Sequence, residues 1–225
     1  VSITEHTTLE QGSDEWLNLR RGMVTASVVG QLITASTLKP ARNDYSRGLT
    51  ASLVAERITG HIDPVYVSDD MYRGTVEEPL ARDLYAKHHK VTVREVGFIT
   101  REIDGVTIGF SPDGLVGEDG LIEVKSRKQK KQLSTILSGL VPAENVAQCQ
   151  TGLLVSGRKW LDYVSYSAGM PLFVTRVYPD QNWQAAIIAA VQAFEETAAQ
   201  MVADYEAAVV GLPVAERTVE LEMVI

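Results

Sequence analysis

Apolar positions along the chain alternate between two periods, and the switches between them outline an α/β protein. From Glu10 to Gly30 the spacing predicts a short helix around Trp16, a break at Gly22, and a second helix capped by Thr25 or Ser27. Leu38–Asn43 has no periodicity and carries Lys39 and Arg42, an exposed basic loop before a helix over Asp44–Ile58 that Thr59 and Gly60 end. Val76, Leu80, Leu84 and Tyr85 recur at helical spacing and predict a helix over Tyr72–His88. From Val91 the period falls to two. Strands are expected at Val91–Val93, Gly97–Thr100, Val106–Phe110 and Leu121–Lys125, joined by Gly- and Asp-rich turns into a meander. A helix over Ala143–Val155, a hairpin of Trp160–Tyr166 with Leu172–Tyr178, and a long helix over Gln181–Val209 complete the pattern. The stripe Ile187, Val191, Phe194, Ala198, Met201, Tyr205 of that helix is expected to pack on the sheet.

The alternation crosses the chain without a compositional break or internal repeat, so a single domain spanning residues 1–225 is expected, a central mixed sheet flanked by helices. No apolar run approaches the ~20 residues needed to cross a bilayer, and a cytoplasmic protein without a membrane partner is expected. One cysteine, Cys149, excludes an intrachain disulfide and a Cys-only zinc site. A net charge of −8 argues against coating nucleic acid by bulk attraction, but leaves room for a nuclease with carboxylates at its centre and a local basic track.

Chemistry concentrates in SPDGLVGEDGLIEVKSR, residues 111–127. Residues two apart on a strand point the same way, so Glu123 and Lys125 project together while Val124 enters the apolar layer behind. If the turn at Pro112 brings Asp113 alongside, two carboxylates and the Val124 carbonyl make a hard oxygen site suited to Mg²⁺, with Mn²⁺ able to substitute. Lys125 would then position the attacking water or, were its pKa depressed by desolvation, accept its proton. Glu78, on the first turns of its helix, is a candidate for a second metal position. Taken alone, the motif fits equally well an ordinary hairpin with Glu123 and Lys125 on a solvated face. Arg20 before a capped helix start with Thr25 and Ser27 suits either a phosphate receptor or a solvated surface. The run KSRKQKK, with Arg127, Lys128, Lys130 and Lys131, lies just beyond the active strand, where sequence-independent phosphate contacts are expected.

Four segments in order decide between these readings: Trp16, Arg20 and Gly22 leading to Thr25-Ala26-Ser27; Arg73-Gly74 with Glu78; Ser111-Pro112-Asp113-Gly114-Leu115 with Glu123-Val124-Lys125; and Ala147-Gln148-Cys149-Gln150. Together they resemble the lambda-type phage exonucleases and YqaJ-like viral recombinases of the PD-(D/E)xK nuclease superfamily. The resemblance implies a restriction-endonuclease-like core, with metal ligands at Asp113, Glu123 and the Val124 carbonyl and Glu78 nearby. It also implies a catalytic Lys125 supported by Gln148, and end recognition by Arg20, Thr25 and Ser27. It further implies 5′ to 3′ resection of one strand from double-stranded DNA ends, a trimeric ring, a single-strand annealing partner, and a phage or prophage gene expressed in a bacterial host. Pro79 directly after Glu78 departs from the family pattern, and no match is anchored after Tyr166. A site-specific endonuclease with the same core and a non-catalytic DNA-end-binding protein are the alternatives.

Overall fold

A computed structural model describes residues 2–64 and 66–217. Strand β8 (Gly120–Ser126), which carries Glu123 and Lys125, lies at the centre of a five-stranded mixed sheet. On one side it pairs in parallel with β9 (Trp160–Tyr166), which pairs antiparallel with β10 (Phe173–Val177). On the other it pairs antiparallel with β7 (Gly114–Val116), which carries the short β4 (Val93–Arg94) at the edge. The parallel β8–β9 step requires a crossover, which α4 (Gln129–Ser138) and α5 (Ala143–Ser156) supply.

The strands after Val91 do not form one continuous meander. β5 (Phe98–Ile103) and β6 (Val106–Phe110) form a hairpin, but they belong to a separate three-stranded sheet with β1 (Ser2–His6), a strand the periodicity does not announce. The segment Ser111–Asp113 passes between the two sheets, which places Asp113 at their junction.

Side chains of β8 alternate as expected. Leu121 enters the larger core, where Leu153, Leu161, Tyr163, Ile187, Val191 and Phe194 meet, whereas Ile122 and Val124 pack on the opposite face with Ala81, Tyr85 and Val164. The second group belongs in part to α3 (Asp69–His89), whose N-cap Ser68 accepts from the Met71 N–H. Of the expected apolar stripe of α3 only Tyr85 turns inward: Val76, Leu80 and Leu84 are 50%, 53% and 42% exposed, while Tyr85 and Ala81 make the sheet contact. The small Ala81 permits close approach, and the Tyr85 hydroxyl donates to the buried Asp162 at 2.7 Å. Arg176 holds the same carboxylate through two hydrogen bonds of 2.8 Å, so the buried charge on β9 is paired and α3 is fixed to the sheet.

Two shorter helices complete the frame: α1 (Asp14–Arg20), capped by Ser13, and α2 (Asp44–Thr59), closed by an Asn43/Ser46 capping box. The expected loop Leu38–Asn43 contains the short β3 (Lys39–Pro40), which pairs antiparallel with β2 (Ile33–Thr34). The terminal helix α6 (Gln181–Ala208) buries Ile187, Val191, Phe194 and Ala198. It lies against α2, α5 and the three-stranded sheet, and Tyr205 at the end of its stripe is 46% exposed.

The second helix expected after Thr25 is a single 3₁₀ turn, Val29–Leu32. Val24–Ala26 is claimed instead by β6: the Gly109 N–H donates to the Val24 carbonyl at 3.1 Å, and the Ala26 N–H donates to the Gly109 carbonyl at 2.9 Å. Glycine is required there, since a Cβ at residue 109 would lie 2.3 Å from the Phe98 ring and 2.9 Å from Met23 Sδ. No helix among the described residues is long and apolar enough to cross a membrane.

Candidate active site

Strand β7 stops pairing at Ile122, so the following residues of β8 have no strand neighbour on that side. Asp113, arriving from the junction of the sheets, closes this open edge by accepting the Val124 N–H at 2.6 Å through Oδ2. Glu123 and Lys125 project from β8 toward α5. Lys125 Nζ meets Glu123 Oε1 at 2.7 Å, and Gln148 Nε2 donates to the same oxygen at 2.6 Å. Glu123 is 1% exposed, and its second oxygen, Oε2, is buried without a hydrogen-bond partner. A buried carboxylate oxygen left unmatched is a strong demand for a cation or donor.

One cavity of about 400 Å³ collects Asp113, Glu123, Val124, Lys125, Gln148 and Glu78 together with Arg20, Thr25 and Ser27. Every residue expected to carry the chemistry, and every residue expected to recognise an end, therefore faces one space. Electrostatics in it are dominated by crowded carboxylates. Burial, then the charges of Glu123 and Glu78, push Asp113 well above the ordinary carboxylate range against the opposing pull of Lys125 and the Val124 N–H. Glu78 is raised by burial and by Glu123 and Glu95, although Arg82 at 3.2 Å opposes the shift.

Burial alone would depress the pKa of Lys125, but Glu123 and Asp113 together outweigh that effect and hold the ammonium above the usual lysine value.

The donor set suits a hard divalent ion in its chemistry: three mutually repelling carboxylates, one with an orphaned oxygen. Among the described residues no group of three or more His, Cys, Asp or Glu side chains already converges on a metal position; Lys125 and Gln148 engage Glu123 Oε1, and the Val124 N–H engages Asp113 Oδ2. These fixed polar contacts orient Asp113 and Glu123 from behind.

The recognition corner differs from expectation in detail. Thr25 and Ser27 cap no α-helix; their hydroxyls lie 3.0 Å apart on the cavity wall. Arg20 stacks its guanidinium 3.8 Å over the Trp16 ring, which is itself anchored by a hydrogen bond from Nε1 to Ser111 Oγ at 3.1 Å. Burial pushes Arg20 down to about 10, with Glu56 opposing, and its Nε is buried without a partner. An oriented, incompletely satisfied guanidinium is well suited to an anion.

The basic run divides. Arg127 donates from Nη2 to Asn145 Oδ1 and, at 2.9 Å, to Tyr163 Oη, which braces the β8–α4 turn, and it also lines the cavity that the following lysines rim. Lys128, Lys130 and Lys131 rim a second cavity of about 690 Å³ with Asp70, Met71, Arg73 and Ser134. Lys131 also pairs with Glu144. Periodicity had not announced α4, whose polar Gln132 and Thr135 are buried while Leu133, Leu137 and the following Leu140 are 51%, 78% and 68% exposed. Gln132 explains the inversion: it donates to the Ser165 and Pro171 carbonyls and accepts from Ser165 Oγ. Site residues missed from sequence include Met71, Thr75 and Ser126. Ser126 follows Lys125 directly, and Met71 and Thr75 precede Glu78 by seven and three residues on one helical face, the signal that could have found them.

A mixed sheet interrupted beside Asp113, with Glu123 and Lys125 on the half of its central strand that β7 leaves unpaired, is the arrangement of a nuclease. The chain belongs to a particular family of these: residues 15–159 match the YqaJ-like viral recombinase domain. It is 33% identical to an alkaline exonuclease, LHK-Exo, from Laribacter hongkongensis, with a TM-score of 0.78 over 89% of this chain and 100% of that one. The structure of LHK-Exo in complex with dAMP superposes with a TM-score of 0.79 at the same identity and coverage. A phage-related exonuclease from Haemophilus somnus 129PT shares the fold at 14% identity, with a TM-score of 0.60 over 84% of this chain and 98% of that one. No curated protein sequence matches the chain.

Proposed function

We propose that the protein is a divalent-metal-dependent exonuclease that removes nucleotides from one strand of double-stranded DNA at its ends, 5′ to 3′, leaving single strand for an annealing protein. The observation that carries this reading is that a carboxylate–lysine cluster and a candidate phosphate receptor share one cavity of about 400 Å³. A terminal phosphate held at Arg20, Thr25 and Ser27 would present the next phosphodiester to Lys125 and the carboxylates. The likeness to LHK-Exo, whose complex with dAMP holds a single nucleotide, supports the same reading.

Asp113, Glu123, the Val124 carbonyl and Glu78 would hold Mg²⁺, or Mn²⁺ in its place. When bound, the ion supplies a Lewis acid that stabilises charge on the phosphoryl oxygens. The Lys125 ammonium orients the attacking water and neutralises developing negative charge. Gln148 fixes the Glu123 carboxylate. Lys128, Lys130 and Lys131 guide the backbone without reading bases, and Arg127 supports them by bracing their turn.

The exposed stripes Tyr72, Val76, Leu80, Leu84 of α3 and Leu133, Leu137, Leu140 of α4 support self-association, and three copies in a ring is the assembly we favour. Such a protein would act in the cytoplasm of a bacterial host carrying the phage or prophage gene. The described residues are read as one folding unit.

The test incubates wild type and Lys125→Ala with linear 5′-phosphorylated duplex and with covalently closed circular DNA, in Mg²⁺ or EDTA, after circular dichroism has confirmed folding. Metal-dependent release of nucleotides from the linear duplex alone, lost in the variant, is expected. Nicking of the circle would replace this reading with an endonuclease, and binding without cleavage would replace it with a DNA-end-binding protein.

A further inference from the structure

The catalytic cavity and the basic groove beyond it share a wall: Asp70, Met71 and Ser126 line both. Asp70 ties that wall together. Its Oδ1 accepts from Arg73 Nη1 at 2.8 Å and from Lys128 Nζ at 2.9 Å, so one carboxylate in the first turn of α3 joins that helix to the N-cap residue of α4. The two cations lower the Asp70 pKa below the usual carboxylate range, with Lys128 contributing most.

These ion pairs are built for exchange. Asp70 and Lys128 have side chains 55% and 69% exposed, where such pairs contribute little to stability. Arg73 has an independent anchorage: its Nε donates to Ser126 Oγ at 3.0 Å and lies 3.8 Å from Glu77 Oε2. Loss of Asp70 would therefore free the outer edge of a guanidinium that stays in position. Lys128 begins a helix whose first turn carries Lys130 and Lys131 and no acid, cations at the end where the helix dipole already favours an anion. Asp70 balances that excess charge, and a phosphate could do the same with more charge and equivalent acceptor oxygens.

We propose that Asp70 is an internal stand-in for a DNA phosphate: it holds Arg73 and Lys128 across the wall between the two cavities and yields them to a backbone phosphate when a strand occupies both. It is thus a positioning residue that sets how tightly the strand is held and how readily it is released. This proposal rests on the exonuclease reading above. It goes beyond that reading by assigning to an acidic residue the control of affinity at a basic surface.

Asp70→Asn keeps the shape of the side chain and removes its charge. Binding is measured by fluorescence anisotropy with a labelled 5′-phosphorylated duplex in EDTA, so that no cleavage intervenes, with folding checked by thermal denaturation. The variant is expected to bind roughly threefold to tenfold more tightly at low salt and, in Mg²⁺, to show a KM that falls by more than kcat. In an Arg73→Met/Lys128→Met background the same substitution is expected to lose most of that gain, because the exchange partners are gone. Unchanged or weaker binding by Asp70→Asn overturns the proposal. So does a gain that persists undiminished without Arg73 and Lys128, which would mean only that a nearby negative charge was removed. If neither wild type nor variant binds a DNA end, the exonuclease reading fails and takes the exchange with it; if wild type binds and Asp70→Asn matches it, the exchange alone fails.

Discussion

Asp113→Asn is expected to make the protein more stable while removing its nuclease activity. Asp113 lies at the cavity wall, where burial and the neighbouring charges of Glu123 and Glu78 raise its pKa well above the ordinary value of 3.8. A carboxyl group whose folded pKa is raised contributes stability that is fully present below the unfolded value and lost as pH rises through the folded one. At neutral pH the ionised group is therefore a source of strain. Asparagine removes the charge yet keeps a carbonyl oxygen able to accept the Val124 N–H that Asp113 accepts at 2.6 Å. Because Asp113 is partly exposed to the cleft, the gain is expected at about 0.5–2 kcal/mol, the usual range for relieving a functional site. For a chain of this size that corresponds to an increase in Tm of about 1–8 °C. The assay is thermal denaturation of both proteins in EDTA from pH 8 downward. The advantage of the variant should shrink as pH falls through the raised pKa of folded Asp113 and be gone below the ordinary value of 3.8. Adding Mg²⁺ should stabilise wild type more than the variant, because a ligand that binds only the folded state raises its stability. A lower Tm for Asp113→Asn in EDTA at pH 8, or an advantage that grows on acidification, would refute the account of crowded carboxylates.

Three other substitutions probe the frame. Tyr85→Phe removes the 2.7 Å hydrogen bond that α3 makes to Asp162 and should cost about 1.5–3 kcal/mol in urea denaturation, the range for a bond to a charged acceptor. Gly97→Ala would place a Cβ 1.8 Å from the Leu9 carbonyl oxygen and should cost about 1–3 kcal/mol, measured the same way, because a backbone atom cannot swing aside. Arg20→Ala should lower kcat/KM on 5′-phosphorylated ends by about 10- to 100-fold and leave 5′-hydroxyl ends nearly unaffected; equal losses on both would remove Arg20 from end recognition.

What could be read from the sequence follows from how local each cause is. The helices α2, α5 and α6 match their expected spans within one residue, because caps and periodicity act over a few residues. Glu123 and Lys125 share a face because strand geometry alone demands it, and Gln148 reaches them because α5 lies in the crossover following β8. Failures occur where a distant segment decides. β1 is almost wholly exposed and exists through its pairing with β5. Thr25 and Ser27 flank no α-helix because Gly109 claims the adjacent backbone. α4 buries Gln132 because the Ser165 and Pro171 carbonyls and the Ser165 hydroxyl await it, a preference no hydrophobic count detects. Arg127 and Lys128 are neighbours in a basic run, yet Asn145 accepts from one and Asp70 pairs with the other across the groove.

The parallel register of β8 with β9, in which Gly120 lies opposite Trp160, also governs when the strand of Glu123 and Lys125 is completed. Glu123 and Lys125 are made before α4, α5 and β9, so their strand gains its parallel neighbour only after those elements have followed. Parallel, sequence-distant pairing is among the slower steps of folding. A nascent or partly unfolded chain therefore carries Glu123 and Lys125 without the parallel pairing that sets their strand in the sheet.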